Sequence, residues 1–176
     1  SRMIQLVNDI LQLSNLDNVS EAGTPLTMET VDLLEVAREC VERQKVNAKR
    51  SFISLTYLGE SAPVLGSRSL LDELCQNLCD NAIRYNRPGG KVQIITACTR
   101  DGHCSLTVKD NGIGIPKEAQ SSVFERFYRV DKSRSKATGG TGLGLAIVKH
   151  IARIHNARIK LESEIGEGTT ITVLFE

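Results

Sequence analysis

The chain has 176 residues, 40% of them apolar and 24% charged, with 22 Lys and Arg against 21 Asp and Glu for a formal net charge of +1. That length suits one ordinary domain with an appendage and is too short for two catalytic domains, and the composition is neither disordered nor fibrous. The charge balance excludes nucleic-acid binding driven by bulk positive charge, although a local basic patch is compatible with it. No apolar run approaches the roughly 20 residues that span a bilayer. No segment has the basic, apolar, small-residue order of a signal peptide. The five cysteines are Cys40, Cys75, Cys79, Cys98 and Cys104, with no CxxC pair and no histidine at ligand spacing. They argue against zinc and against a disulfide framework, and are expected to be small buried hydrophobes in a reducing cytosol. There are three histidines, His103, His150 and His155, and no tryptophan.

In chain order, residues 1–17 form a helix by pattern. Met3, Leu6, Ile10 and Leu13 repeat with the spacing of a coiled-coil seam, and Ile4, Val7 and Leu11 add a second apolar stripe. A helix apolar over so much of its circumference packs on several neighbours, so it is expected to belong to a larger bundle. Its partners are then a second copy or sequence outside this chain. Residues 18–29, with Gly23 and Pro25, read as a linker. Thr30 is the expected N-cap of a helix reaching Lys49, with Leu33, Leu34, Ala37 and Val41 on one face. Residues 52–58 and 63–65 read as strands, and 69–85 as a strong helix that stops at Pro88-Gly89-Gly90. A hairpin follows, with strands 91–99 and 104–110 about the turn Arg100-Asp101-Gly102-His103. Its inward residues are expected to be Val92, Ile94, Thr96 and Cys98, then Cys104, Leu106 and Val108. Two glycine clusters and a charged loop occupy 110–144. A helix over 143–155 and strands 158–163 and 169–175, joined at Ile165-Gly166-Glu167-Gly168, complete the chain. This order predicts an α/β protein: a two-layer α/β sandwich with a mixed, largely antiparallel sheet. A doubly wound parallel fold would need strict alternation of strand and helix.

Four blocks carry chemistry. On the 69–85 helix, Glu73, Asn77, Asn81 and Arg84 form one polar stripe. Such a stripe is ordinarily a solvated face, but Asn is a poor helix former and its amide oxygen suits a hard cation such as Mg²⁺. Second, Asp110-Asn111-Gly112-Ile113-Gly114-Ile115 sets a carboxylate at a strand end before alternating glycines. Glycines there let backbone approach a ligand closely, and a carboxylate accepts from adenine's exocyclic amine where guanine presents an oxygen. An ordinary turn is the competing reading. Third, Gly139-Gly140-Thr141-Gly142-Leu143-Gly144-Leu145 opens a helix, a ready anion site unless it is only a hinge. It is not a P-loop, since no GxxxxGK(S/T) run exists, and Leu145 stands where a dinucleotide fingerprint needs glycine. Fourth, residues 124–136 carry Arg126, Arg129, Lys132, Arg134 and Lys136. They suit either a nucleic-acid arm or a lid over phosphates, and their place between two glycine clusters favours the lid.

Together and in this order, the blocks resemble the catalytic ATP-binding domain of sensor histidine kinases, within the group that includes gyrase, heat-shock-ninety and mismatch-repair ATPases (the Bergerat fold). Residues 77–85 resemble the N box, 110–114 the G1 block, 124–131 the F box and 140–145 the G2 block, and Gly166-Glu167-Gly168-Thr169-Thr170 resembles the terminal GxGT element. The likeness covers the chain from about residue 30 onward. It implies that Asn81 coordinates Mg²⁺ on the ATP phosphates with Asn77 in support, that Arg84, at a position usually Lys, meets phosphate, and that Tyr85 packs on adenine. Asp110 would accept from the adenine amine, with Thr169 a weaker candidate beside it. Gly112, Gly114, Gly140, Gly142 and Gly144, with Thr141 and Leu143 between them, would let backbone approach the nucleotide. Arg129 would reach the γ-phosphate. Asn77 stands where related ATPases usually carry a water-activating Glu, which favours phosphotransfer over hydrolysis.

Residues 1–17 resemble the end of the second helix of the dimerisation and phosphoacceptor hairpin, so the domain organisation expected is remnant 1–17, linker 18–29 and catalytic domain 30–176. None of the three histidines has the His-Glu/Asp context of a phosphoacceptor. The resemblance therefore implies a histidine target outside this chain, a response regulator downstream, a homodimer in the full-length kinase, a cytosolic site with any membrane anchor elsewhere, and no nucleic-acid partner. A serine kinase or hydrolysing ATPase of the same group, and a nucleotide-binding module without transferase activity, are the alternatives. Ser67, where Asp often follows Gly66, and Asn156-Ala157, in place of a common Gly-Gly, depart from the pattern away from the expected site.

Overall fold

A computed structural model describes residues 28–125 and 144–176. The expected helix over 1–17, nearly all of the linker and most of the charged loop lie outside them. The chain enters as β1 (Glu29–Asp32), antiparallel to β3 (Pro63–Gly66), and continues into α1 (Leu33–Arg50). Thr30 is therefore not the N-cap: it pairs with Leu65 inside β1, and Asp32 caps the helix. Asp32 Oδ1 accepts from the Leu34 amide at 3.0 Å and the Ala62 amide at 2.8 Å, while Oδ2 accepts from Ser61 Oγ at 2.7 Å. Burial pushes this carboxyl up, but the three hydrogen bonds outweigh it and hold it below its ordinary value. Both residues are good caps by type. The distant segment 61–62 decides between them, because only Asp32 meets it.

After α1 the chain turns at Phe52, which has a φ of 57° in the left-handed region and is 74% exposed. The turn is tied by the Ile53 amide on Ala48 O at 2.9 Å and the Gly89 amide on Phe52 O at 2.8 Å. This is why the strand expected from residue 52 begins later, as β2 (Ser54–Gly59). Then come α2 (Arg68–Arg84), β4 (Lys91–Cys98), β5 (Cys104–Asp110), α3 (Gly144–Ile154), β6 (Ala157–Glu164) and β7 (Gly168–Phe175).

Five strands form one sheet in the order β2-β4-β5-β7-β6. Only β2 and β4 are parallel, the connection between them running through β3 and α2, as a parallel pair requires. The other pairs are antiparallel. Alternation gives the sheet two faces. Val92, Ile94, Thr96, Leu106, Val108, Ile171 and Val173 are buried, the apolar ones in the same cluster as Leu71, Leu74, Leu78, Ile147, Val148 and Ile151 of α2 and α3. The opposite face exposes Lys91, Lys109, Arg158, Lys160 and Glu162. This is the expected two-layer sandwich with its mixed sheet.

The cysteines divide. Cys40, Cys75 and Cys79 are free and buried, as expected of small hydrophobes. Cys98 and Cys104 are instead disulfide-bonded, which corrects the expectation of no disulfide. They are direct partners across the β4–β5 hairpin, a juxtaposition that register creates and spacing along the chain does not display.

His155 is packed rather than reactive. Its Nε2 accepts from the Ser67 amide at 3.0 Å, and Nδ1 donates to Ile151 O at 2.7 Å. The ring stands edge-on to Phe175. It joins the end of α3 to the start of α2. One nitrogen must accept, so the ring must be neutral. Burial lowers its pKa, partly opposed by the Ile151 carbonyl. A lowered imidazole pKa means the unfolded chain binds the proton better. The stabilisation is thus complete above about pH 6.5 and is lost as pH falls below it. In thermal melts between pH 7.5 and 5, the stability of the unsubstituted chain relative to a His155→Gln variant should fall, since the raised Asp110 carboxyl, which acts in the opposite sense over this range, is common to both.

Candidate functional site

Asp110 ends β5, between β4 and β7, where the core strands give way to the G1 loop. Its Oδ1 accepts from the Gly112 amide at 2.9 Å and the Thr169 amide at 3.2 Å. Oδ2 receives no amide donor among the described residues. Burial raises the carboxyl to about 6, against the lowering effect of those two amides. A half-buried acceptor is thus oriented by two segments far apart in sequence.

The surrounding glycines are demanded by contact. A Cβ on Gly112 would lie 2.5 Å from Tyr85 O, and one on Gly168, whose φ is +129°, would lie 2.1 Å from Asp110 O. Gly114 (φ +77°) lies equally close against Glu164 O, where a Cβ would approach to 2.2 Å. The Ile113 amide donates to Tyr85 O at 3.2 Å, so the end of α2 is strapped to the G1 loop. The Gly166 amide donates to Ile113 O at 2.9 Å, tying the loop to the β6–β7 turn.

On α2, Glu73, Asn77, Asn81 and Arg84 are all half-buried, unlike an ordinary solvated stripe. Asn77 lies beside the start of α3, since a Cβ on Gly144 would lie 3.8 Å from Asn77 Oδ1. Asn81 sits one turn further on, toward Tyr85. Arg84 pairs with Asp80 at 3.1 Å.

The structure therefore draws the expected residues into two linked groups. Gly112 and Thr169 bind the Asp110 carboxylate, Tyr85 meets Gly112 and Ile113 through its carbonyl and Gly114 follows in the same loop, while Asn77 lies beside Gly144, with Asn81 and Arg84 further along the same helix. Arg129, Gly140, Thr141, Gly142 and Leu143 lie outside the described residues. Among those described, no group of three His, Cys, Asp or Glu side chains is arranged to hold a metal. A cation here would rest on amide oxygens and on its ligand's phosphates, a pattern that suits Mg²⁺.

Several positioning residues carry little sequence signal. Ser163 Oγ accepts from the Ile115 amide at 2.8 Å, donates to Gly168 O at 2.9 Å and shares a bond with Thr169 Oγ1 at 2.8 Å. Gln120 Nε2 bridges Ile115 O and Ser163 O. Asn111 Oδ1 accepts from the Lys91 amide at 2.7 Å. Of Ser163, Gln120 and Asn111, only Asn111 lies in a block that stands out by pattern.

Comparison with known proteins decides the family. Residues 66–176 match the model described as histidine kinase-, DNA gyrase B-, and HSP90-like ATPase. The chain belongs to this family. Across 98% of its length it is 44% identical to the sensor-like histidine kinase SenX3 of Mycolicibacterium smegmatis and covers 44% of that protein. It is 39% identical to the sensor protein kinase WalK of Staphylococcus saprophyticus, again over 98% of this chain, and covers 28% of that protein. The chain thus spans less than half the length of these relatives. Among solved structures, the mycobacterial sensor histidine kinase MprB aligns with a TM-score of 0.72 and 33% identity, over 85% of this chain and 97% of that one. Full-length ShkA in complex with AMPPNP aligns with a TM-score of 0.82 and 25% identity, over 98% of this chain and 35% of that one. The chain is a catalytic ATP-binding domain of the histidine kinase type.

The glycine contacts give a direct test of the site's construction. Gly89 also has a positive φ (+86°), but a Cβ there meets nothing within 4 Å. Gly89→Ala should therefore incur only a backbone penalty of about 1 kcal/mol. Gly168→Ala adds a clash with the Asp110 carbonyl and should cost about 2 kcal/mol or more in urea denaturation.

Proposed function

We propose that residues 30–176 bind Mg-ATP and transfer its γ-phosphoryl group to a histidine outside this chain, for relay to a response-regulator aspartate. The observation that carries the proposal is the Asp110 carboxylate, whose Oδ1 is occupied by the Gly112 and Thr169 amides. That arrangement leaves Oδ2 to accept from an exocyclic amine, which adenine has and guanine lacks at that position. Tyr85 then packs on the base, Thr169 lies beside it, and Gly112 and Gly114 admit it.

Asn77 and Asn81 present amide oxygens from one half-buried stripe, with Asn77 beside Gly144. They fit the donor chemistry of Mg²⁺, with Asn81 as ligand and Asn77 in support. The ion would neutralise charge on the phosphates. Arg84, now paired with Asp80, would meet phosphate. Gly140, Thr141, Gly142, Leu143 and Gly144 would receive phosphate at the start of α3, and Arg129 would meet the γ-phosphate. Asn77 cannot abstract a proton from water, so the γ-phosphoryl is kept for the incoming imidazole. As the imidazole N–P bond forms, the bond to the bridging oxygen of the departing ADP breaks.

Residues 1–17 we read as part of a phosphoacceptor and dimerisation helix, and 18–29 as its linker. The intact kinase would be a homodimer working in the cytosol, anchored to a membrane only through other segments.

Two outcomes test this reading. The chain with radiolabelled ATP should acquire no acid-labile label by itself and should label a separately supplied phosphoacceptor hairpin. Rapid phosphate release instead, abolished by Asn81→Ala, would make it a hydrolase, and ATP binding without transfer would make it a binding module.

The second test concerns Asp110. Its carboxyl is raised to about 6, so above that pH it is an ionised acceptor and below it a neutral acid. ADP affinity should hold above pH 6.5 and fall as pH drops through 6. In Asp110→Asn, the amide oxygen would remain with the two backbone donors and the NH₂ would oppose the adenine amine. Binding should weaken roughly tenfold or more at pH 7.5, as expected for a buried donor facing a donor. Isothermal titration across this pH range checks both.

A further inference from the structure

We propose that Arg87 is a positioning residue for base recognition: its guanidinium clamps together the two turns that orient the Asp110 carboxylate. Arg87 is exposed and follows α2 by three residues, in a stretch that reads in sequence only as a helix stop. Its Nη2 nevertheless lies 3.0 Å from Gly166 O, 3.3 Å from Asn111 O and 3.4 Å from Gly112 O. Three carbonyls share the two hydrogens of one charged nitrogen. They come from both sides of the site, two from the G1 loop and one from the β6–β7 turn.

These are the segments that supply Asp110 with its donors. Gly112 gives its amide to Asp110 and its carbonyl to Arg87. Gly166 lies three residues before Thr169, the other donor. The root of Arg87 is held as well: its amide donates to Asn86 Oδ1 at 2.8 Å, and Asn86 Nδ2 donates to Lys91 O at 3.2 Å and approaches Asn111 Oδ1 at 3.4 Å. Arg87 is thus a strut from the end of α2, which bears the asparagine stripe, to both turns. A charged donor serving several carbonyls is stronger than a neutral one, and a planar guanidinium loses little freedom in making such bonds. Without it, Asp110 keeps both amide donors and the turns stay tied by the Gly166 amide on Ile113 O, but they lose their charged strut to the end of α2. The carboxylate then presents a less defined acceptor to the base.

This inference rests on the reading of Asp110 as the adenine acceptor. The test is a double-mutant cycle on the whole chain, using ADP and GDP as probes and isothermal titration as readout. Arg87→Met should weaken ADP roughly tenfold, the size expected for losing charge-assisted hydrogen bonds, while GDP changes by less than about twofold. Arg87→Lys should recover part of the ADP affinity. On an Asp110→Asn background, Arg87→Met should cost less than about twofold more, because its effect passes through the lost carboxylate. Thermal melts of the nucleotide-free variants establish that each is folded, and Arg87→Lys carries the comparison if Arg87→Met is not. Equal losses for ADP and GDP, or a full loss on the Asp110→Asn background, would overturn the positioning role and leave the adenine reading intact. No ADP binding by the unsubstituted chain would overturn both.

Discussion

The Asp110 carboxylate, held through one oxygen by two backbone amides, is the contact on which the rest of the site depends. Burying a carboxylate is costly, and the pKa near 6 records that cost. The Gly112 and Thr169 amides offset it only if the G1 loop and the first residues of β7 arrive together. They arrive because β5 pairs with β7, with Asp110 opposite Thr169. The same closeness leaves no room for a Cβ at Gly168, and Gly112 is pressed by the end of α2 as well. Sheet register, glycine placement and acceptor geometry are therefore one constraint seen three ways.

The same economy appears at two joints remote from the site. Asp32 caps α1 and also binds residues 61 and 62, so one carboxylate fixes a helix start and the approach of a distant turn. His155 ties the end of α3 to the start of α2 with one donor and one acceptor. Each of these groups accepts hydrogen bonds that bring separate segments of the chain together. Position is thereby set by directional contacts at the edges of an otherwise apolar core, which packs without strong directionality.

Departures from the family pattern have local physical answers. Asn156, where the histidine kinase pattern commonly has glycine, takes a φ of 54°, and Asn tolerates that left-handed backbone better than most residues. Ser67 precedes α2 without a side-chain cap, and its amide is instead satisfied by His155. Phe52 has no such excuse, since a bulky exposed residue in the left-handed region gains little from its ring.

Much of the fold was legible because periodicity survives without partners. The strand around Leu106 and Val108 alternates strictly, that around Val92 and Ile94 in part, and Leu71, Leu74 and Leu78 recur at helical spacing. Their class and inward faces follow from that pattern alone. The expected site residues were legible as types, since Asn pairs, strand-end Asp and glycine clusters are unusual choices for surface turns. What the chain order does not contain is pairing between distant segments. Thr30 and Asp32 are equal as caps until residue 62 arrives. Cys98 and Cys104 are six apart until register sets them opposite one another. Ser163, Gln120 and Arg87 are ordinary polar residues until backbone groups from other segments meet them. The sequence by itself determined most of the elements, though not β1, and with them the family and the kinds of group at the site. Only the tertiary structure decided which oxygen of Asp110 is occupied and what holds it there, because a hydrogen bond depends on direction and distance between segments that no local pattern encodes.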